Sequence, residues 1–208
     1  MSKIEIALPK VRLTFPNLFE KQTLGGCITT EEARKYTATF TLSKDNTKHI
    51  AAINKIKESE KKLLKEIGVK INPHALFKCG DEYLDSIDVS DDKGEKKLKS
   101  CSYMKNTWSV TANNGYAPIL ELIRGVTLDV ERDDNPFYAG CYVNAIIALS
   151  PYKFNNKWKG LTKYLQLVLF SKAGEKLGGD KRVKSSDYFD DDDIGETLED
   201  NFNDRELF

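Results

Sequence analysis

A mainly β chain with one inserted helix is what this sequence predicts, and three observations predict it. Residues 36–42, 103–112 and 141–149 alternate apolar and polar side chains with the period of two that a half-buried strand requires. Only one segment, 43–68, repeats apolar residues at helical spacing. From Asp187 onward ten acids stand against one base, Arg205, with too few apolar groups to form a core.

Taken in order, residues 4–8 and 11–15 read as short strands separated by Pro9, and residues 16–19 turn the chain. The polar stretch 20–35, with Gly25 and Gly26, reads as a mobile connection. Strand 36–42 places Tyr36, Ala38, Phe40 and Leu42 on one face and three threonines on the other. The helix places Ile50, Ile53, Ile56, Leu63, Leu64 and Ile67 on its apolar side, a charged face including Glu60 on the other, and Gly68 at its end as a C-cap. Residues 88–99 are read as an exposed charged loop. Asp91 and Asp92 there lack the spacing of a calcium loop. In 103–112, Trp108, Val110 and Ala112 share a face, and the Asn113-Asn114-Gly115 turn follows. Another strand is expected at 125–130, ended by Asp133 to Pro136. In 141–149, Cys141, Val143, Ala145, Ile147 and Leu149 share a face, and 165–170 is an apolar run of strand length. Residues 150–160 between them, with Pro151, Asn155, Asn156 and Gly160, predict a hairpin with a long connection. Among small β folds that bind polymers, an OB-fold-like five-stranded barrel fits this order best. It would carry elaborated loops, one inserted α-helix and a disordered acidic C-terminal tail.

The formal net charge of zero conceals a division. The tail, 187–208, carries −9, which leaves 31 bases and 22 acids, or +9, on the other residues. A basic body attracts polyanions, and an acidic tail on the same chain competes for it. The organisation expected is a binding domain over 1–186 and a tail over 187–208. No apolar run has the length of a membrane span, and the N-terminus lacks the apolar region of a secretory signal. Cys27, Cys79, Cys101 and Cys141 form no C-x-x-C pair, and His49 and His74 are the only histidines. These spacings argue against zinc and against a disulfide framework, and fit free thiols in a reducing cytosol.

The stretch that points to function is 150–164. Tyr152, Phe154, Trp158 and Tyr164 interleave with Lys153, Lys157, Lys159 and Lys163. Flat rings that stack on bases, set among ammonium groups that neutralise phosphates, are what single-stranded nucleic acid requires. The plainer reading is a core hairpin with buried rings and solvated lysines. Tyr152, Phe154 and Trp158 are the first candidates for stacking, followed by Trp108 and Tyr103. Lys153, Lys157, Lys159 and Lys163 are the candidates for phosphate contact, then Lys105, Arg12 and Lys44. In the tail, Asp190, Asp191, Asp192, Asp193, Glu206, Leu207 and Phe208 form a partner-binding candidate. A terminal aromatic brings its carboxylate beside its ring and suits an apolar pocket with a basic rim. The tail would fill the basic groove until DNA displaces it.

Five pieces carry a family resemblance: VRLTFPNLF (11–19), KYTATFTLSK (35–44), FYAGCYVN (137–144), KWKG (157–160) and GEKLG (174–178) ahead of the acidic tail. In these the chain resembles the OB-fold single-stranded DNA-binding proteins of tailed phages and prophages. The resemblance implies sequence-independent protection of single strands in phage DNA replication and recombination, in the cytoplasm of an infected bacterial cell. It further implies an acidic C-terminus that addresses phage or host replication proteins, and cooperative or dimeric assembly on DNA. No cofactor, metal or catalytic residue is implied.

Two other classes were weighed. Asp129, Glu131 and Asp133 share a face by alternation, as the carboxylates of a metal-dependent nuclease or other phosphoryl-transfer enzyme would, but they also read as the approach to a turn. RNA chaperoning would use the same rings and lysines, and nothing in the sequence marks a reader of the 2′-hydroxyl.

Overall fold

The computed structural model of the chain describes residues 3–23, 34–69, 76–129 and 135–177. In chain order the elements are β1 (Ile4–Leu13), β2 (Asn17–Thr23), β3 (Arg34–Ser43), α1 (Thr47–Ile67), β4 (Lys78–Cys79), α2 (Gly80–Asp85) and α3 (Asp92–Ser100). A 3-10 turn over Ser102–Met104 leads into β5 (Thr107–Asn114), followed by β6 (Ile119–Ile123), β7 (Val126–Thr127), β8 (Tyr142–Phe154) and β9 (Lys157–Lys172).

Five of these strands close a ring. β1 pairs antiparallel with β3 on one side and β8 on the other, and β3 pairs with β5 in unbroken register from Tyr36↔Asn114 to Ser43↔Thr107. β8 pairs with β9, and β9 meets β5 in parallel at Asn113↔Tyr164. There the Asn114 side-chain amide donates to the Leu165 carbonyl at 2.9 Å. This is the expected five-stranded OB-type barrel. β2 pairs with β3, β4 with β5, and β6 with β7 beyond β9, as elaborations of the ring.

Strand alternation explains the closure. Ile6 and Leu8 of β1, Phe40 and Leu42 of β3, Val110 of β5, Val143, Ile147 and Leu149 of β8 and Leu165 of β9 are wholly buried in one cluster. Each such side chain withdrawn from water contributes about 1.5–3 kcal/mol. β1 keeps its pairing to β8 around a bulge at Pro9 and Lys10, where the Lys10 N–H donates to Asn144 Oδ1 at 2.9 Å.

The helix forms where its caps allow. Asn46 Oδ1 accepts from the Lys48 and His49 N–H groups, and Gly68 ends the helix in the left-handed region at φ 67°. Ile53, Ile56 and Leu63 pack it against the barrel. His49 fastens its first turn: Nδ1 accepts from the Ser43 N–H at 2.9 Å, so Nε2 carries the proton and donates to the Pro9 carbonyl at 3.0 Å. Burial holds the His49 pKa below its ordinary value.

The sequence expectations need correction in several places. Residues 92–100, read as loop, form α3, because Asp91 Oδ1 accepts the Gly94 N–H at 2.7 Å and starts a helix that polar residues can sustain. α2 is likewise additional to the one helix expected. Glu60, placed on the solvated face of α1, is buried. The long hairpin connection does not exist. β8 runs through Pro151 to Phe154, β9 begins at Lys157, and Asn155 and Asn156 make a two-residue turn at φ 50° and 59°. Asparagine tolerates that left-handed pair, whose twist matches the flanking strands. The strand expected at 125–130 is confined to Val126–Thr127, with residues 130–134 outside the described set.

Candidate nucleic-acid interface

The hairpin puts the interleaved rings and lysines on a two-stranded arm at the ends of β8 and β9. Directly opposed residues share a face, and the register places Lys153 opposite Trp158 and Tyr152 opposite Gly160. Between those two pairs β8 advances one residue and β9 two, so a bulge at Lys159 turns neighbouring side chains to opposite faces. Lys153 Nζ lies over the Trp158 ring, 4.5 Å from its centroid, and Tyr152 is 42% exposed on the other face. Lys157 and Lys159 are exposed. Phe154 ends β8 opposite Lys157, and its side chain lies outside the described set. The arm therefore offers ring and charge on both faces, unlike the buried hairpin of the plainer reading.

Lys163 does not belong to this surface. Its ammonium donates to the Leu76 carbonyl at 2.8 Å, and burial lowers its pKa to about 8, with the Glu60 carboxylate opposing that shift and Lys78 adding to it. It ties β9 to the segment after α1 and is not placed to meet a phosphate.

Of the second group of candidates, Tyr103 and Arg12 meet on the outer face of the barrel. A groove of about 200 Å³ runs there, floored by Thr39 and Thr41 of β3 and Ser109 and Thr111 of β5 and walled by Phe15 and Tyr103. Thr39 and Thr111 join their hydroxyls at 2.8 Å, Thr14 Oγ1 donates to the Thr39 carbonyl at 3.0 Å, and Thr41 Oγ1 has no hydrogen-bond partner among the described residues. Phe15 is 59% exposed, a large ring held out where bases could stack. Arg12 crosses the Tyr103 ring at 5.9 Å, and its Nη2 donates to the Glu175 carbonyl at 2.9 Å. Burial raises the Tyr103 pKa. Lys105 is exposed just beyond the 3-10 turn.

Trp108 and Lys44 lie apart from this groove: Trp108 pairs with Leu42 and shares the inward face of Val110, opposite to Ser109 and Thr111. The Trp108 ring packs on the core and carries Lys44 Nζ at 5.6 Å. Lys44 is already engaged, donating to Asp81 Oδ2 at 2.6 Å and to Cys79 Sγ at 3.0 Å. The bond to Asp81 raises the Lys44 pKa, and the same bond lowers that of Asp81. Lys44 thus holds α2 to the barrel, since Asp81 Oδ1 also accepts the Asn106 N–H at 2.7 Å.

Sequence reasoning missed Phe15, the threonine floor, Tyr83 and Lys78, because they come together only when β1, β3, β4, α2 and β5 are assembled. Alternation over 11–15 puts Phe15 on the face of buried Val11 and Leu13, so no sequence signal marks its exposure. Of the nuclease candidates, Asp129 is exposed and Glu131 and Asp133 lie outside the described set. Among the described residues no three His, Cys, Asp or Glu side chains group to hold a metal. Cys79, Cys101 and Cys141 are free thiols. Among the described residues no helix is long and apolar enough to cross a membrane. The tail candidates, Asp190–Asp193 and Glu206–Phe208, lie outside the described residues.

A closed barrel of five strands, with a threonine-floored groove and a ring-bearing basic arm, places the chain among proteins of the OB class. More particularly, the chain belongs to the family described as "Enterobacter phage Enc34, ssDNA-binding protein", which matches residues 4–201. Protein p50 of Acyrthosiphon pisum secondary endosymbiont phage 1 is 29% identical over 190 residues, covering 90% of this chain and 94% of that one. The structure of the single-stranded DNA-binding protein from bacteriophage Enc34 in complex with ssDNA is similar at TM-score 0.60 and 23% identity, over 84% of this chain and 89% of that chain. The bacteriophage T7 single-stranded DNA-binding protein gp2.5 has a similar fold, at TM-score 0.50 and 11% identity, over 91% of this chain and 97% of that chain.

Proposed function

We propose that this protein binds single-stranded DNA without regard to sequence in phage DNA replication and recombination. Membership of the Enc34 ssDNA-binding family supports this. The observation that carries the residue-level reading is the Lys153–Trp158 pair on an exposed arm, ring and charge set together where a base and its phosphate would lie. Tyr152 and Trp158 stack bases on the arm, with Lys153, Lys157 and Lys159 on the phosphates. Phe15 and Tyr103 extend the track over the barrel face, where Arg12 and Lys105 supply charge, and Trp108 and Lys44 carry it into the adjoining cavity. The role is stoichiometric binding, with no bond made or broken.

The acidic tail, 187–208, acts in the same reading as an internal competitor and as the address for replication proteins, through Asp190–Asp193 and the Glu206-Leu207-Phe208 terminus. The position of the last described residues supports this. Leu177 donates its N–H to the Ala139 carbonyl, and Glu175 meets Arg12, whose ring partner Tyr103 walls the groove. Dimeric or cooperative assembly on DNA completes the proposal.

A titration of intrinsic Trp emission with a dT oligonucleotide tests the reading, with duplex DNA and a matched RNA as controls. Quenching by the single DNA strand alone is the expected result. Equal response to duplex would overturn it, and a stronger response to RNA would move the function to RNA chaperoning.

A further inference from the structure

The groove on the barrel face does not end at β5. It shares Lys78 and Tyr83 with a larger cavity of about 500 Å³ between α1, β4, α2 and the Trp108 edge, within the size range of small-ligand sites. Three of its rings each carry an ammonium group: Lys57 over Phe77 at 5.4 Å, Lys97 over Tyr83 at 5.8 Å and Lys44 over Trp108 at 5.6 Å. Lys57 and Lys78 are both exposed, and neither has an acidic partner among the described residues. Glu82, in the first turn of α2, is the acid among the lining groups that is not already paired with Lys44.

Such a cavity suits a nucleotide unit: aromatic edges for a base, and cations spaced around them for the phosphates on either side. An apolar ligand would leave Lys57 and Lys78 at its rim unused. From this we infer that the α1–α2 insertion forms a second nucleotide-binding pocket, which takes the single strand as it leaves the barrel face past Lys78 and Tyr83. Lys57 is its outer phosphate contact. The insertion would thereby lengthen the binding site beyond the barrel itself and give the strand a fixed exit. This inference rests on the single-stranded DNA reading above.

The test is charge reversal read against oligonucleotide length. The full-length protein is titrated with dT oligonucleotides of increasing length at several salt concentrations, beside Lys57→Glu, Glu82→Lys and Lys62→Glu. Lys57, Glu82 and Lys62 are all exposed, so none of these changes removes core packing. Lys62→Glu repeats the charge change of Lys57→Glu on the same helix, at a residue that does not line the pocket. Lys57→Glu should bind short oligonucleotides like the parent but lose several-fold in affinity for long ones. Its salt slope should fall by roughly 0.7, the value of one phosphate contact. Glu82→Lys should gain affinity for long ones only. If Lys57→Glu and Lys62→Glu behave alike, or if the loss is the same at every length, the pocket takes no nucleotide and the inference falls. If the parent binds no single-stranded DNA at any length, the underlying function falls instead.

Discussion

Replacing Trp158 by alanine separates DNA stacking from folding. The Trp158 ring is half-exposed on β9, lies outside the buried core cluster, and touches the Lys153 ammonium at 4.5 Å. Folding should therefore lose little more than this exposed cation–π contact, about 0.5–1 kcal/mol. DNA binding should lose one stacked base, worth about 1–3 kcal/mol, which is roughly fivefold to 150-fold in Kd at fixed salt. Anisotropy of a labelled dT oligonucleotide measures the second quantity, and urea unfolding the first. Trp158→Phe should recover most of the affinity, since a smaller ring still stacks. Trp108→Ala is the contrasting case, because that ring packs on the core and its loss should damage stability and binding together. An alanine variant at 158 that is stably folded and binds within twofold of the parent would refute the stacking role of the arm.

Deleting residues 187–208 removes a net −9, and affinity for dT should rise at low salt and converge with the full-length value at high salt, as screened self-competition demands. Lys163→Met tests the buried ammonium. Its folded pKa of about 8 lies below the ordinary 10.5, so the charged form costs stability below pH 8, and that cost disappears as pH rises towards 10.5. The cost is at most about 3 kcal/mol before solvent screening reduces it. Thermal melts should show the methionine variant gaining on the parent near pH 7 and losing that advantage near pH 10, and a constant difference would refute the assignment. Asn155→Ala and Asn156→Ala should each cost about 1 kcal/mol of stability through their left-handed φ values, while Asn156→Gly should be neutral or better.

The barrel was legible in the sequence wherever one strand face is buried and the other is not. Alternation at 36–42 and 141–149 predicted the burial of Phe40, Leu42, Val143, Ile147 and Leu149. α1 was legible because its periodicity and its Gly68 cap agree. α3 was not, since its stability comes from the Asp91 cap and carries no apolar stripe that periodicity can detect. The hairpin connection was overdrawn because Pro151 and Gly160 are turn formers by composition, yet here both lie in strands, with Asn155 and Asn156 making the whole turn. The arm residues Tyr152, Lys153 and Trp158 stand together in the fold because they are close in sequence. The groove was found only in part, because its walls come from Phe15, Tyr83 and Tyr103, far apart along the chain. Lys163 looked like its neighbours in sequence, and only the position of the Leu76 carbonyl distinguishes it.

The way the ring closes has its own consequence. β8 and β9 are bonded along their whole length, whereas β5 and β9 meet at one parallel pair, Asn113 and Tyr164, beside the single Asn114–Leu165 bond. Least work is needed to part the barrel along that line, so amide hydrogen exchange should begin there and not at the long ribbon. β5 also supplies part of the groove floor, so a strand of DNA lying across it would press on the weakest closure of the cylinder.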